Sequence, residues 1–187
     1  IGGGVRALAQ LPIPEARGQD ATTVILDRRG VPIAQLHAEQ HRLPLTLDEV
    51  STVLVDAVVA SEDRDFFRHA GVDPAAIGRA AWFDIRHEGE LQGGSTITQQ
   101  YVKNAFLEAD RTLLRKLREA VLSIKIEREL SKPDILERYL NVIYLGRGAY
   151  GVEAASQVWF GTSAADLDIA QAAYLAALIR APELADI

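Results

Sequence analysis

The sequence predicts a mainly α-helical domain with a short β hairpin at its front. Three observations lead there. Apolar residues recur at helical spacing through most of the chain beyond residue 45, helix-capping signatures stand at Thr46/Glu49 and Ser131/Asp134, and strand signals are confined to residues 22–45. At 187 residues the chain suffices for one well-buried domain, or a domain with a small satellite lobe, and its 48% apolar and 25% charged residues are the balance of a globular protein.

Taken in order, Thr22 to Leu26 and Val31 to Leu36 read as two strands around the glycine-containing turn Asp27-Arg28-Arg29-Gly30. From Thr46 the pattern becomes helical: Thr46 and Glu49 form a capping box, and Val50, Val53, Leu54, Ala57 and Val58 share a face of a helix expected to end near Ser61. Residues 73–94 carry a short helical pattern with Pro74 near its start, the aromatics Trp82 and Phe83, and a connection through Gly89, Gly93 and Gly94. Helices are expected at 95–106, 111–130, 133–144 and 166–179. On the second of these, Leu113, Leu114, Leu117, Ala120, Val121 and Ile124 read as the apolar side. Residues 146–155 use three glycines to turn tightly into a close-packed helix.

Several functions are excluded or narrowed by composition. The net charge of −6 gives no general attraction to nucleic acid, so an anionic ligand needs a local basic cluster. The absence of cysteine excludes disulfides and thiolate metal sites, and the four histidines show no metal-ligand spacing; His37, His41 and His87 are expected on the surface. No apolar run reaches membrane-spanning length, and Ile1-Gly2-Gly3-Gly4 lacks the features of a signal peptide. Residues 1–21 read as a linker following a membrane anchor that lies outside the sequence.

Three constellations carry chemistry. Glu62, Asp63 and Asp65 stand at the end of an apolar helix, where like charge and the negative helix end both favour carboxyl groups that take up protons, the property of a general base. The cluster alone equally describes a solvated helix terminus. Gly93-Gly94-Ser95-Thr96 leads into a helix bearing Gln100, Lys103 and Asn104, and free N–H groups, hydroxyls and a lysine suit an anionic oxygen cluster. A merely capped helix start fits the same residues. Arg115, Lys116 and Glu119 share a helix face, as an exposed ion pair would. Asn141 reads as a buried anchor, and Arg147, between two glycines, is placed to reach an anion.

Together the blocks E-D-x-x-F-x-x-H-x-G from Glu62, G-G-S-T-I-T-Q-Q-x-x-K-N from Gly93, R-K-x-x-E from Arg115, K-x-x-I-L-E-x-Y-L-N from Lys132 and G-R-G-A-Y-G from Gly146 resemble the peptidoglycan glycosyltransferases. This is glycosyltransferase family fifty-one, found in class A penicillin-binding proteins and monofunctional transglycosylases. The resemblance covers roughly residues 22–182 and departs at no motif position. It implies a lysozyme-like, mostly α large lobe and a small, mobile, membrane-contacting lobe at residues 77–93, with residues 183–187 beginning a connection to a transpeptidase domain in bifunctional relatives.

The resemblance further implies inverting polymerisation of lipid II into β-1,4-linked glycan strands, with release of undecaprenyl diphosphate. Glu62 would deprotonate the acceptor hydroxyl, and Glu119 would be the second catalytic carboxylate, positioning substrate or helping to hold Mg2+ or Mn2+ on the diphosphate. Lys103, Arg115 and Lys116 would bind the diphosphate, with Ser95, Thr96, Gln100 and Asn104 lining the donor site. Asp63, Phe66 and His69 would support the Glu62 loop. No organic cofactor is implied. The expected partners are lipid II, the growing lipid-linked glycan, the outer face of the bacterial cytoplasmic membrane, moenomycin-type inhibitors and cell-wall machinery proteins. The rivals are a lysozyme-like glycan hydrolase and an inactive cell-wall scaffold; a hydrolase of neutral sugar bonds has no evident use for Lys103, Arg115 and Lys116.

Overall fold

The structure, a computed structural model, describes residues 23–30, 32–36, 41–73, 94–107 and 113–182. These residues are mainly helical: α1 (Thr52–Glu62), α2 (Ile97–Phe106), α3 (Leu113–Glu129), α4 (Lys132–Val142), α5 (Val152–Phe160) and α6 (Ile169–Leu178). They form two compact units, residues 62–136 and residues 23–61 with 137–182. The aromatic pair Trp82 and Phe83, the whole 77–93 region, His37 and His87 lie outside the described residues.

In the second unit, β1 (Thr23–Leu26) pairs antiparallel with β2 (Pro32–Leu36), Thr23 opposite Leu36. The turn closes through the Gly30 N–H on the Asp27 carbonyl at 3.0 Å, with Gly30 at φ +80°. Two-residue strands β3 (His41–Arg42) and β4 (Ala149–Tyr150) pair in parallel, a long-range contact that no local pattern announces. His41 is correspondingly buried, at 6% exposure, and its N–H donates to the Gly148 carbonyl at 3.0 Å. The expectation of a surface His41 is therefore corrected: pairing with Ala149 takes it into the interior.

The helix expected over residues 46–61 is shorter. The Thr46/Glu49 capping box forms, but it starts a single 3-10 turn at Leu47–Glu49. Val50 then turns extended, and the Ser51 N–H bonds to the Ala164 carbonyl at 2.9 Å, leaving the Ser51 carbonyl to accept the first bonds of α1. Leu54 and Val58 are fully buried, so the predicted apolar face holds within α1.

Asn141 ties α4 to the segment before the 3-10 turn. Its amide receives the Leu45 N–H at 3.0 Å and donates to the Leu45 carbonyl at 2.8 Å, while Glu137 accepts the Leu47 N–H at 2.9 Å. α4 begins in the expected Ser131/Asp134 capping pair, with Ser131 Oγ donating to Asp134 at 2.6 Å. Gly151, at φ +87°, lets β4 pass into α5; a Cβ there would meet the Asn141 carbonyl at 2.9 Å.

The first unit places its core between α2, α3 and the start of α4, with Phe66, Ile97, Val102, Ala105 and Ile135 fully buried. Here the expected apolar side of α3 is corrected. Leu114, Leu117 and Ile124 are 52%, 44% and 37% exposed, whereas Glu119, Leu122, Ser123 and Ile126 are buried. α3 packs on α2, and its inward face carries a carboxylate and a hydroxyl among its apolar side chains. Hydrophobicity alone does not reveal such a face.

Candidate active site

Every candidate residue from Glu62 to Glu119 belongs to the first unit. Glu62 is the last residue of α1 and Asp63 the first beyond it. A loop over residues 63–71 follows, with the Phe66 N–H on the Asp63 carbonyl at 2.9 Å.

Asp63 closes that loop. Its carboxylate accepts the Ile97 N–H at 3.0 Å, satisfying the first free amide of α2, and lies 2.9 and 3.0 Å from His69 Nε2 through its two oxygens. Burial pushes the Asp63 carboxyl above the ordinary aspartate range, a desolvation that outweighs the opposing pull of the Ile97 N–H and His69. Phe66 is fully buried, and its ring meets the His69 ring edge to face at 6.3 Å. Asp63, Phe66 and His69 are thus one buried assembly that shapes the loop.

The start of α2 is built by Thr96 and Gln99. The Thr96 hydroxyl accepts the Gln99 N–H at 3.2 Å and donates to the Gly71 carbonyl at 2.7 Å, while Gln99 Oε1 accepts the Thr96 N–H at 3.0 Å. Gln99 stands in the motif from Gly93 but receives no role from the sequence, although Thr96-x-x-Gln99 is a capping-box pattern that could have supplied one. Gly71 fits only as glycine: its φ is +85°, and a Cβ would stand 2.8 Å from the Ser123 carbonyl. Thr96 is 2% exposed, so its hydroxyl is engaged inside the helix start.

From this base the outward residues project. Gln100 Nε2 donates to Glu62 Oε2 at 2.8 Å. Lys103 and Asn104, one turn further on, are exposed on the face of α2 opposite Val102 and Ala105. At the other end of the same short stretch, Ser95 Oγ accepts a hydrogen bond from Lys116 Nζ at 2.7 Å.

Lys116 also pairs closely with Glu119. This is not the exposed ion pair that helical spacing alone suggests, because the Glu119 side chain is 2% exposed and that of Lys116 48%. Arg115 is half-buried beside it. Residues 95–100 therefore bring Glu62 through Gln100 and the Lys116–Glu119 pair through Ser95 onto one scaffold. Arg147 lies in the second unit, exposed in a turn at φ +51°, with its guanidinium 3.9 Å above the Trp159 ring.

Two residues near this loop receive no role from the sequence, where Glu127 reads as an ordinary helix position and Lys132 as the first residue of a motif block. Glu127 and Lys132 are joined at 2.7 Å, Thr98 Oγ1 donates to Glu127 at 2.5 Å, and Lys132 Nζ lies 4.3 Å from the Phe66 ring centroid. No spacing rule links Phe66 to Lys132, so only the fold reveals the contact.

A carboxylate at a helix end, a second carboxylate paired with lysine and a hydroxyl-bearing helix start are thus gathered within the first unit. Among known proteins, residues 29–187 match the family model described as Transglycosylase, and the chain belongs to that family. It is 54% identical over 143 residues to penicillin-binding protein 1A of Aquifex aeolicus, covering 76% of this chain and 20% of the relative. It is 48% identical over 153 residues to penicillin-binding protein 1A of Escherichia coli, 82% of this chain and 18% of the relative. With penicillin-binding protein 1A of Mycolicibacterium smegmatis it shares 41% identity over 184 residues, 96% of this chain and 23% of the relative. The chain spans about a fifth of the length of these curated relatives.

Proposed function

We propose that this chain polymerises lipid II into β-1,4-linked glycan strands, with inversion at the anomeric carbon and release of undecaprenyl diphosphate, in bacterial cell-wall synthesis. The observation that carries the reading is the double use of residues 95–100, where Gln100 holds Glu62 and Ser95 holds Lys116 against Glu119. Base and leaving-group charge are thereby mounted on one rigid helix start.

Glu62 takes the proton from the 4-hydroxyl of the acceptor sugar as that oxygen attacks C1 of the growing chain. The C1–O bond to the diphosphate breaks, and the departing oxygens gain negative charge. Lys103, Arg115 and Lys116 stabilise that charge more in the transition state than in the ground state. Ser95, Gln100 and Asn104 line the donor side, with Thr96 building the helix start beneath them. Glu119, buried against Lys116, fixes the ammonium in place.

Among the described residues no three carboxylate or imidazole groups converge into a metal cage. Mg2+ or Mn2+ would accordingly be carried by the diphosphate oxygens, with Glu119 as a single protein carboxylate beside it, and would neutralise leaving-group charge. Arg147, stacked on Trp159, is assigned a further anion contact.

The finer architecture assigned to the chain is a lysozyme-like large lobe with a small membrane-contacting lobe. Catalysis at the outer face of the cytoplasmic membrane follows from the substrate, whose polyprenyl tail stays in the bilayer. Among the described residues no helix is long and apolar enough to cross a membrane. The exposed Leu114, Leu117 and Ile124 on the helix that carries Arg115 and Lys116 suit an apolar tail next to a diphosphate. Moenomycin-type phosphoglycolipids would compete for the same donor site, and other cell-wall proteins are the expected partners.

The test is incubation of the purified protein with fluorescent lipid II, with and without Mg2+ or Mn2+. Lysozyme-sensitive polymer is expected; shortening of preformed glycan without polymerisation would overturn the assignment.

A further inference from the structure

Lys132 is the first residue of α4, where the positive end of the helix disfavours a cation. Its side chain is nevertheless only 18% exposed, and the Glu127 carboxylate that receives it is 6% exposed. A buried ammonium at a helix N-terminus needs compensation, and the structure supplies it from two sides. Glu127 Oε1 lies 2.7 Å from Lys132 Nζ, and the Phe66 ring face lies 4.3 Å from the same nitrogen. Thr98, fully buried on α2, donates to that same Glu127 oxygen at 2.5 Å.

This group sits directly under the loop that follows Glu62. Phe66 belongs to the loop, and Gly71 at its far end is held so closely that a Cβ would stand 3.1 Å from Glu127 Cγ. The ammonium also acts electrostatically on Asp63, the residue next to Glu62. An aliphatic side chain at position 132 would fill the space under Phe66. It would provide neither the counter-charge for Glu127 nor the cation for the ring face.

We propose that Lys132, held by a Glu127 carboxylate that Thr98 fixes in turn, is a positioning residue of the transfer reaction, fixing the 62–71 loop through Phe66 so that the Glu62 carboxylate stays on Gln100. Lys132 does not touch substrate. The inference rests on the reading of Glu62 as the base. It predicts a loss in turnover and not in substrate affinity, because the donor contacts at Ser95, Lys103 and Lys116 are left in place.

The experiment compares lipid II polymerisation by the intact protein carrying Lys132→Met, Lys132→Arg, Glu127→Gln or Glu62→Gln, with urea unfolding of each. Lys132→Met is expected to lower kcat by about 10- to 100-fold, the scale of a small misplacement of a reacting group, with KM held within about twofold. Lys132→Arg keeps the charge and the ring contact and is expected to recover most of the loss. Glu127→Gln should show the same split and decides the question if the methionine variant fails to fold. Wild-type kcat in Lys132→Met, or an arginine variant no better than the methionine one, overturns the proposal. Full activity of Glu62→Gln brings down the base assignment, and the inference with it. An inactive Glu62→Gln beside a fully active Lys132→Met removes the inference alone.

Discussion

Gln100 holds the carboxylate of Glu62 at 2.8 Å, and this contact joins the end of one helix to the first turn of another. It gives the proposed base a defined direction at the end of α1, where a glutamate side chain otherwise samples several rotamers. Gln100 itself is aimed by the Thr96–Gln99 capping box one turn below it.

Loss of the base is the most direct test of the site. Glu62→Gln keeps the hydrogen-bonding shape but not the basicity, and polymerisation is expected to fall at least about 10²-fold. Gln100→Ala leaves the carboxylate in place without its guide, and a fall of roughly 10-fold is expected. Both are read from the rate of glycan formation on gels, and a Gln100→Ala enzyme at full speed would show that the contact does not orient Glu62.

Separating charge neutralisation from catalysis requires a double variant. Lys116→Met strands the buried Glu119 carboxylate and should cost about 1–3 kcal/mol of stability, measured by urea unfolding. Adding Glu119→Gln removes the stranded charge and should restore most of that stability. Polymerisation should stay low in the double variant, because the cation assigned to the diphosphate is still missing.

Asp63 predicts a pH signature. Its proton affinity is raised in the folded protein, so the unfolded chain ionises first as pH rises. The contribution of the protonated group is therefore fully present below the ordinary aspartate range and is lost as pH rises through the raised folded value. The stability difference between wild type and Asp63→Asn, followed by urea unfolding from about pH 4 to about pH 7, should shift against wild type with increasing pH. A difference that is flat or moves the other way would contradict desolvation as the dominant effect on Asp63.

Gly71→Ala combines a left-handed backbone with a collision against the Ser123 carbonyl. A loss of roughly 2 kcal/mol or more is expected. Gly161→Ala supplies the comparison, because Gly161 has φ +66° but nothing within 4 Å of a Cβ. Only the backbone cost of about 1–2 kcal/mol applies there. Equal melting temperatures for the two variants would mean that the segment around Ser123 yields to the added methyl.

Local rules make much of this protein legible in its chain. Ser131 and Asp134 cap α4, Thr46 and Glu49 form the expected capping box though on a 3-10 turn in place of the expected helix, and Leu54 and Val58 face inward, because each depends on neighbours three or four residues apart. The motif blocks single out the candidate site residues for the same reason: their chemistry lies within short stretches of chain. Pairings between distant stretches emerge only once the chain is packed. Val50 leaves the helical path because Ser51 bonds to Ala164, and His41 is buried because it pairs with Ala149. Likewise, α3 turns Glu119 and Ser123 inward and leaves Leu114 and Leu117 outside, a facing that its apolar content does not set. Lys132 beneath Phe66 belongs to the same class, for a ring contact that joins two separate motif blocks leaves no periodic trace in the chain.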